Sequence, residues 1–574
     1  MGTISDKLMR IINTKEDIRQ ALISKGYDVP TSIPFKEYAK MILDLPCNAD
    51  SFPDIEGIVA RYSASGLTNE QMAANPVWAD KTGNGRDLQL KNFSWKRMSG
   101  VGGYVQDFND FRNNATVDKI RIDEQSSNSI KVTILTTGIS NTIYIPKNIY
   151  QFNKSYFIKI SSEGYDEGDM ALSFYAPSTS TATTVTVSLN PNGITEIPAI
   201  KEDDFLAVYI NVSGKVGSFT VEQLPLYPGA LVFDGVDDYG VCENFPILTK
   251  EKGYTVVALR QYLVDKSTAY LTANGDSISN TSFILEGNNY RDTWSFGKAI
   301  TIQASRILAT QTSKQYDGVK LNIGTNTEGS NLLQVGKWSK SYSNVAIWEL
   351  VFLDHDATEE ELTKIKDYFV KTYPWLFPDQ AWTVTGKTNE DEDRATIANI
   401  TGNGNDLVLS NFGFIEGSGY NKEGEYAGYL VTDGVDDKIT SSIFEMGNDW
   451  TVIGDWELIN TGKKDNAGIV KFDSIVIYNY NPILINIKNG RNNLIPDQNT
   501  VNAICSDGRI YSKDWKESIY NEETESTSKN FLTIGYSGNS YTKIAFKNLA
   551  IYPTVLSKED CIKAYNYLQT LKSK

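Results

Sequence analysis

The chain is short of the residues on which most enzymes and metalloproteins depend. Its 574 residues contain one histidine, His355, and four cysteines, none of them in a CxxC pair. A serine–histidine or cysteine–histidine pair would have to use His355, which stands in LDHDAT just before a predicted helix and is explained more simply as a solvated boundary residue. The phosphate-cradling motif GxxxxGK[ST] is also missing. These absences predict a protein that is not an enzyme and has no cofactor and no metal centre.

We also expect neither a membrane-spanning segment nor a secretory leader. No apolar run approaches membrane-spanning length, and the first residues, MGTISDKLMRIINTKED, are amphipathic and charged. The net charge of −16 is spread along the chain, and a negative surface repels phosphate backbones and anionic lipids. The widely separated cysteines are typical of small core side chains in a reducing cytosol. We therefore expect no nucleic-acid partner and no membrane insertion.

What the chain has is a long internal repeat. The pentapeptide DGVDD occurs at 234–238 and again 199 positions later, and the closing segments AIWELVFL and AFKNLAIY are also 199 positions apart. The upstream blocks ADKTGNGRDL and ANITGNGNDL are instead 319 positions apart, so the first copy carries 120 extra residues. An insertion of that length predicts a separate domain. The predicted domains are a helical segment at 1–46, a first sandwich at 51–107 with 229–375, an inserted β domain at 108–228 and a second sandwich at 380–574.

Both copies have the sequence pattern of antiparallel β-sandwiches. Their short strands are β-branched and aromatic, punctuated by Gly, Asn, Asp and Pro, and each copy ends in a helix with a capping sequence at Thr358 or Ser557. The inserted domain has eight strictly alternating runs, which predict a small sandwich or jelly roll. It contains no tryptophan, so a sugar-stacking platform there would depend on its tyrosines or on Phe157, and an inert spacer is the favoured interpretation.

The segment LVFDGVDDYG resembles a pattern of concanavalin-A-like, laminin-G-like sandwiches, where it forms a turn at a sheet edge; the second copy departs from it at Thr432 and Lys438. The resemblance implies a mostly β fold with two such sandwiches. It does not imply a ligand, because lectins, hydrolases and adhesive modules share this sandwich. The three aspartates of the motif offer oxygen ligands of the kind that calcium prefers, yet acidic residues after a DG turn also suit a hairpin corner. The corner is favoured, and calcium binding is left open.

The N-terminal segment predicts an assembly element. Ile4, Leu8, Ile11, Ile18 and Leu22 follow one another at the spacing of a short coiled-coil seam, interrupted by a lysine. Helices this short need a partner surface, so the seam predicts docking onto other proteins or a homo-oligomer, a trimer being one option. The alternative is a helical hairpin that packs on itself or on the first sandwich. The predicted assembly residues are Leu8, Ile11, Ile18 and Leu22.

The order of segments resembles proteins of tailed bacteriophages. KLMRIINTKEDIRQALISKGYDVPTSIPFKEYAKMI is similar to N-terminal segments of phage fibre and baseplate-type proteins. VARYSASGLTNEQMAANPVWADKTGNG followed by LYPGALVFDGVDDY is similar to proteins of phages of gut Bacteroidetes, including crAss-like phages. The resemblance implies a structural protein of the virion exterior, made in the host cytoplasm: a head or tail fibre or a decoration protein that adheres to host-surface glycan. A tail glycan depolymerase and a bacterial cell-surface adhesin are the alternatives.

Two loops combine aromatic rings with amide or charged groups, as lectin sites do. No strand carries the Glu-x-Asp-x-x-Glu spacing of many sandwich glycoside hydrolases, which favours binding over hydrolysis. The same tyrosines could instead be half-buried strand residues. The candidate ligand-binding residues are Tyr290, Arg291, Asp292 and Trp294 in the first copy, and Tyr478 and Tyr480 in the second.

Overall fold

The computed structural model describes most of the chain beyond its N-terminal segment. The described residues are 52–249, 252–263, 270–276, 284–286, 308–312, 330–424, 426–459, 468–472, 475–478, 483–487, 491–495, 501–512, 515–519, 532–537, 540–571 and 573. The predicted helical segment at 1–46, with its seam residues, lies outside them.

The chain forms two compact units, residues 1–55 with 360–368 and residues 56–359 with 369–574. In the described part of the smaller unit, the rings of Phe52 and Tyr368 meet edge to face with centroids 4.9 Å apart. Lys364 and Glu360, one helical turn apart, form an exposed ion pair of 2.8 Å.

The fold is mostly β, which confirms the predicted fold class. Helices α1, α2 and α3 span Asn69–Ala74, Glu359–Thr372 and Lys558–Leu568. Short 3-10 helices span Phe108–Asp110, Lys147–Ile149 and Pro374–Leu376. The strands up to the end of the first copy are β1 (Ile58–Ser63), β2 (Val77–Trp78), β3 (Leu88–Lys91), β4 (Gly100–Val101), β5 (Arg112–Asn113), β6 (Ile120–Gln125), β7 (Ser129–Ile134), β8 (Asn141–Pro146), β9 (Tyr156–Glu163), β10 (Met170–Tyr175), β11 (Val185–Leu189), β12 (Ile194–Ile197), β13 (Ala207–Val212), β14 (Gly217–Gln223), β15 (Leu231–Asp234), β16 (Tyr239–Cys242), β17 (Thr255–Tyr262), β18 (Tyr270–Asn274), β19 (Ile284–Glu286), β20 (Leu308–Thr312), β21 (Leu333–Val335), β22 (Lys337–Trp338), β23 (Ser341–Tyr342) and β24 (Asn344–Leu353). Those of the second copy are β25 (Gln380–Thr383), β26 (Thr396–Ile397), β27 (Leu407–Ser410), β28 (Gly419–Tyr420), β29 (Leu430–Val431), β30 (Lys438–Thr440), β31 (Thr451–Leu458), β32 (Gly468–Phe472), β33 (Ile475–Tyr478), β34 (Ile483–Ile487), β35 (Arg491–Ile495), β36 (Val501–Cys505), β37 (Arg509–Ser512), β38 (Glu517–Ile519), β39 (Thr533–Ile534), β40 (Tyr536–Ser537), β41 (Ser540–Tyr541) and β42 (Ile544–Tyr552).

The two copies build corresponding pairs of sheets. In the first copy, one sheet runs β20-β17-β24-β15-β4 with β1 on β24, and the other runs β19-β18-β21-β16-β3-β2. In the second copy, one sheet runs β28-β29-β42-β31-β36-β37-β38 with β25 on β42, and the other runs β26-β27-β30-β39-β32-β33-β34-β35. The long strands β24 and β42 therefore hold equivalent places at the centre of each fold.

The inserted strands form two further sheets. Their orders are β11-β10-β13-β8-β5 and β12-β9-β14-β7-β6, so within the described part of the chain these ten strands pair with one another alone. In β7 the residues alternate between buried and half-buried, as the period of a strand with one covered face requires. Phe174, Ile210 and Phe219 lie in a core of their own between the two sheets.

The cores of the two copies explain why the alternating sequence folds as it does. Leu88 and Leu90 of β3 point inward while their neighbours are exposed, and Leu407 and Leu409 of β27 repeat the pattern. Each buried side chain of this size contributes on the order of 1.5–3 kcal/mol before entropy costs.

At the end of the second copy, Ser557 caps α3, because its Oγ accepts a hydrogen bond of 3.1 Å from the amide of Asp560.

The repeated DGVDD is a corner between two sheets. β15 belongs to one sheet of the first sandwich and β16 to the other, so the turn crosses the sandwich instead of closing a hairpin. Asp234 Oδ1 accepts from the amide of Val236 at 2.7 Å, and Asp238 Oδ2 accepts from the amide of Asp234 at 3.0 Å. Gly235 has a φ of 76°, and a Cβ there would lie 2.7 Å from the Cβ of Asn344. Only glycine fits this position without strain.

The second copy repeats this corner between β29 and β30. Asp433 Oδ1 accepts from the amide of Val435 at 2.8 Å, and Asp437 Oδ2 accepts from the amide of Asp433 at 2.8 Å. Gly434 has the same φ of 76° as its counterpart. The pentapeptide therefore occurs twice because both copies contain the same turn between their two sheets.

Candidate functional site

The ligand-binding residues predicted from the sequence cannot be placed in the structure. Tyr290, Arg291, Asp292, Trp294 and Tyr480 lie outside the described residues. Tyr478 ends β33, of which the backbone alone is described. The site described below consists of other residues.

A cleft of about 720 Å³ lies where the inserted domain meets the second sandwich. Strands β9, β11 and β12 form one wall, and β31, β42, α3 and the loops that carry Tyr429 and Trp515 form the other. This volume is in the range of ordinary small-molecule sites, and clefts at domain junctions commonly bind ligands.

Aromatic rings line one side of the cleft. Tyr565 of α3 meets Phe157 of β9 edge to face and Trp515 edge to face, both with centroids 5.6 Å apart. Trp515 adopts a φ of 59°, a left-handed conformation that non-glycine residues rarely hold. Phe157 is thus buried against the second sandwich, so the inserted domain supplies part of this wall.

A hydrogen-bonded group of polar side chains supports the lining residues Tyr429 and Lys547. The Tyr429 hydroxyl donates to Asp455 Oδ1 at 3.0 Å, and Gln569 Nε2 donates to Asp455 Oδ2 at 3.0 Å. Lys547 Nζ lies 3.7 Å from Asp455 Oδ2 and 5.5 Å from the centroid of the Tyr429 ring. Asp455 therefore holds both Tyr429 and Lys547 in place. Burial, followed by the charges of Asp455 and Glu196, raises the pKa of Tyr429 far above its ordinary value and keeps its hydroxyl protonated.

An irregularity in strand pairing positions Lys547. The register between β31 and β42 shifts after Asp455, and Lys547 is the residue of β42 that the shift leaves without a partner. It is half-buried, whereas the other residues of β42 are buried. The bulge thus turns a charged side chain out of an otherwise buried central strand.

The first copy shows that the fold does not require these polar groups. It has the same register shift between β17 and β24, but the residue that corresponds to Lys547 is Trp348 and the one that corresponds to Asp455 is Leu259. Trp348 is fully buried and donates from its indole nitrogen to the carbonyl of Pro228 at 2.8 Å. This polar group is therefore particular to the second copy.

A second group of aromatic residues lies on the outer face of the inserted domain. Tyr144 of β8 is directly opposite Tyr209 of β13, with rings stacked at 5.6 Å, and Tyr175 meets Tyr209 edge to face at 6.1 Å. Tyr175 remains 47% exposed. This tyrosine row is flat and open, whereas the cleft is concave and polar at its base.

The aspartates of the two corners are the groups in the described residues that could hold a metal. One carboxylate oxygen from each of Asp234, Asp237 and Asp238 lies within 4.8 Å of the other two, and the second copy repeats the arrangement. The turn itself explains much of this geometry, because Asp234 and Asp238 each accept hydrogen bonds from backbone amides. We assign no metal to either corner.

No family model and no curated protein matches the chain. Among solved structures, it is similar to the sialidase of Trypanosoma rangeli in complex with sialic acid, at 8% identity and a TM-score of 0.25 over 79% of this chain and 85% of that one. Another alignment to this sialidase covers 39% of this chain and 41% of the sialidase. The tandem CBM22 domains of Paenibacillus barcinonensis Xyn10C match at 10% identity and a TM-score of 0.14, over 46% of this chain and 99% of that one. The receptor-binding domain of a botulinum neurotoxin of mosaic serotype C/D matches at 10% identity and a TM-score of 0.14, over 88% and 98%.

The prediction that the protein is not an enzyme is corrected by this comparison. Sialidases are enzymes, and they are among the structures to which the chain is similar, so the missing catalytic motifs do not exclude catalysis. The low TM-scores assign no reaction, substrate or catalytic residue to this chain. None of the structures named here is a phage protein, and the virion role stays a prediction.

None of the helices in the described residues is both long and apolar enough to cross a membrane.

Proposed function

We propose that the protein is a structural component of a phage virion, a head or tail fibre or a decoration protein, that binds host-surface glycan in the cleft. The observation that carries the proposal is the combination, in one cavity of about 720 Å³, of the aromatic rings of Phe157, Trp515 and Tyr565 with carboxylate, amide and ammonium groups. The sequence resemblance to phage proteins supports the virion part.

The chemistry of the lining suits sugars. A pyranose ring presents C–H faces that pack on aromatic rings, and hydroxyls that exchange hydrogen bonds with polar side chains. The cleft offers the half-buried ring of Tyr429, the carboxylates of Glu196 and Glu457 and the amide of Asn502. Because Asp455 and Lys547 hold Tyr429 in place, the ring is preorganised for a ligand.

Replacing Tyr429 by alanine tests the proposed site. We expect the full-length wild type to bind one or more polysaccharides on a glycan array, and Tyr429→Ala to bind the same glycan at least about tenfold more weakly, since it loses the ring and frees Asp455. Tyr429→Phe keeps the ring and should lose less. Isothermal titration calorimetry gives the affinities, and melting curves check that the variants fold.

The matched control is Tyr209→Ala, which opens the tyrosine row outside the cleft. It should leave the affinity unchanged. If Tyr209→Ala abolishes binding and Tyr429→Ala does not, the sugar binds the tyrosine row and the proposed site is wrong.

Glycan hydrolysis is the second candidate function. Glu196 of β12 and Glu457 of β31 both line the cleft, and both lie close enough to Tyr429 to contribute to its raised pKa, after burial and Asp455. Glycoside hydrolases usually act through a pair of carboxylates that face one cleft. The glycan identified on the array should therefore be incubated with the protein while new reducing ends are measured. Release of oligosaccharide that is lost in Glu457→Gln establishes a depolymerase.

The virion part of the proposal places attachment in residues 1–46. The seam residues Leu8, Ile11, Ile18 and Leu22 have apolar area to bury, and burying each is worth on the order of 1.5–3 kcal/mol before entropy costs. We expect a chain without residues 1–46 to stay folded but to be monomeric and absent from particles. Leu8→Asp combined with Ile18→Asp should behave likewise. Sedimentation and the protein content of purified virions measure this, and a truncated chain that still enters particles contradicts it.

A further inference from the structure

Two cysteines of the second sandwich are buried among the same neighbours. Cys505 ends β36, and Cys561 lies in the first turn of α3, 56 positions later. Both side chains are fully buried, and both carry thiols. Cys505 Sγ lies 3.8 Å from Thr451 Oγ1, and Cys561 Sγ lies 4.0 Å from the carbonyl oxygen of Leu556. Because the amide of Leu556 donates to Thr451 Oγ1 at 2.9 Å, the two sulfurs share one small set of contacts.

The two thiols form a hydrogen bond with each other. The thiol of Cys561 donates to the sulfur of Cys505, and this bond, together with burial, raises the pKa of Cys561 above its ordinary value. The same bond lowers the pKa of Cys505 against the effect of burial, and the Thr451 hydroxyl and the charge of Arg509 add to the lowering. A thiolate therefore forms on Cys505 more readily than on Cys561. Sulfurs in such contact need only side-chain rotation to reach the bonding distance of about 2 Å.

The first sandwich has the same arrangement of backbone without the cysteines. There Thr255 Oγ1 accepts from the amide of Ala357 at 2.8 Å, just before α2. Thr312 is opposite Thr255 in the strand pairing, where the second copy has the first of its two cysteines. Leu362 of α2 stands 199 positions before the other cysteine. The fold therefore does not require sulfur at either place.

We propose that Cys505 and Cys561 form a disulfide when the protein meets a low-molecular-weight disulfide such as oxidised glutathione, and that this bond fixes α3 to β36. The inference does not depend on glycan binding. Because both sulfurs are buried, the exchange takes place when α3 opens locally or while the chain folds.

The exchange has two steps. The Cys505 thiolate attacks one sulfur of oxidised glutathione, so that a mixed disulfide forms and one glutathione leaves as its thiolate. Cys561 then loses its proton and attacks the sulfur of Cys505, which breaks the mixed disulfide and releases the second glutathione. One protein disulfide replaces one glutathione disulfide, and the two protons of the cysteines go to the two glutathione thiolates.

Peptide mapping provides the direct test. The reduced full-length protein is equilibrated with mixtures of reduced and oxidised glutathione, both as the folded protein and during refolding from guanidinium chloride. Acid stops the exchange, and the remaining thiols are alkylated. We expect one linked pair of peptides, carrying Cys505 and Cys561, and the loss of two alkylated sites in each chain. Cys242, which is also buried and has its Sγ 3.0 Å from Asn244 Oδ1, is the internal control and should stay alkylated.

Hydrogen exchange tests whether the bond fixes the helix. Peptides from α3 should exchange at least about tenfold more slowly in the oxidised protein than in the reduced one, because the disulfide closes a long loop of the opened chain. Peptides from α2, the equivalent helix of the first copy, are the reference and should not change. Cys561→Ala should remove the difference between oxidised and reduced protein, whereas Cys242→Ala should keep it.

The outcomes decide each part of the inference. If Cys505 and Cys561 are both still alkylated after equilibration in the most oxidising mixture, folded and refolded alike, the inference is wrong. A link from either residue to Cys47 or Cys242 instead also contradicts it. If the expected disulfide forms but α3 exchanges at the same rate as before, the bond does not fix the helix and that part of the proposal is overturned.

Discussion

Replacing Glu349 by glutamine is expected to lower the free energy of unfolding of the first sandwich by about 3–5 kcal/mol, because it leaves the charge of Arg61 buried beside a neutral amide. Arg61 Nε lies 3.2 Å from Glu349 Oε2, and the two side chains are 4% and 0% exposed. The Tyr373 hydroxyl donates to Glu349 Oε1 at 2.8 Å, a bond that glutamine can keep. The expected loss in the free energy of unfolding therefore measures the effect of the uncompensated charge of Arg61.

Hydrogen exchange of peptides from β24 measures the free energy of opening of this sandwich, and peptides from β42 serve as an internal reference that should not change. The double variant Arg61→Met with Glu349→Gln should recover most of the stability, because it removes both charges. The second copy has Ala381 and Asn548 at the corresponding places, so the fold itself does not need the pair. A loss below about 1 kcal/mol in Glu349→Gln would show that the pair is not effectively buried.

Stability should also fall as the pH rises toward neutrality, because the carboxyl group of Asp238 ionises. Burial, followed by the charges of Asp234 and Asp237, raises the pKa of Asp238 to about 7, although hydrogen bonds from the Asp234 amide and Ser99 oppose the shift. Because the folded-state pKa lies above the unfolded value, the unfolded chain loses this proton first, and stability declines between about pH 4 and pH 7. From pH 5 to pH 7.5 the decline amounts to about 2–3 kcal/mol.

Asp238→Asn should abolish this part of the pH dependence, since an amide does not ionise and its oxygen can still accept from the Asp234 amide. The melting temperature of the variant relative to the wild type should rise by several degrees between pH 5 and pH 7.5. Asp437→Asn should give about half the change, because burial and the neighbouring aspartates raise the pKa of Asp437 only to about 6. Glu124→Gln, at a carboxylate of the inserted domain whose side chain is 77% exposed, is the control and should show no such change. A constant difference between Asp238→Asn and wild type at both pH values would contradict the assignment.

Repetition and alternation made the architecture predictable. The constant spacing of 199 residues between DGVDD and the closing strands locates the two copies, because homologous strands keep their register when only loops change. The alternation in β3 and β27 indicates which face is buried, since successive side chains of a strand point to opposite faces. The DG turns are a local signal of the same kind, because the positive φ of Gly235 and Gly434 excludes most other residues.

The cleft was not predictable in the same way. Lys547 is a visible signal in the sequence, because it is the one charged residue of β42 and the first copy has Trp348 at this place. Its role, however, depends on a strand bulge that the sequence does not show. In the sequence, Phe157 is one residue on which a sugar-stacking platform in the inserted domain would depend, and no local pattern favours that role over an inert spacer. Its contact with Tyr565 joins positions 408 residues apart, and no local pattern encodes such a meeting.

The sequence by itself therefore determined the β class and the two DG turns, because both depend on short-range periodicity or on the conformational limits of single residues. The tertiary structure decided that these turns join two sheets instead of closing a hairpin. The tertiary structure alone decided that the inserted domain packs on the second sandwich and that Glu196, Tyr429, Glu457 and Tyr565 share one cleft. The physical reason is that contacts between distant strands are selected by the shape and charge of whole surfaces, which emerge only when the sheets have formed and packed.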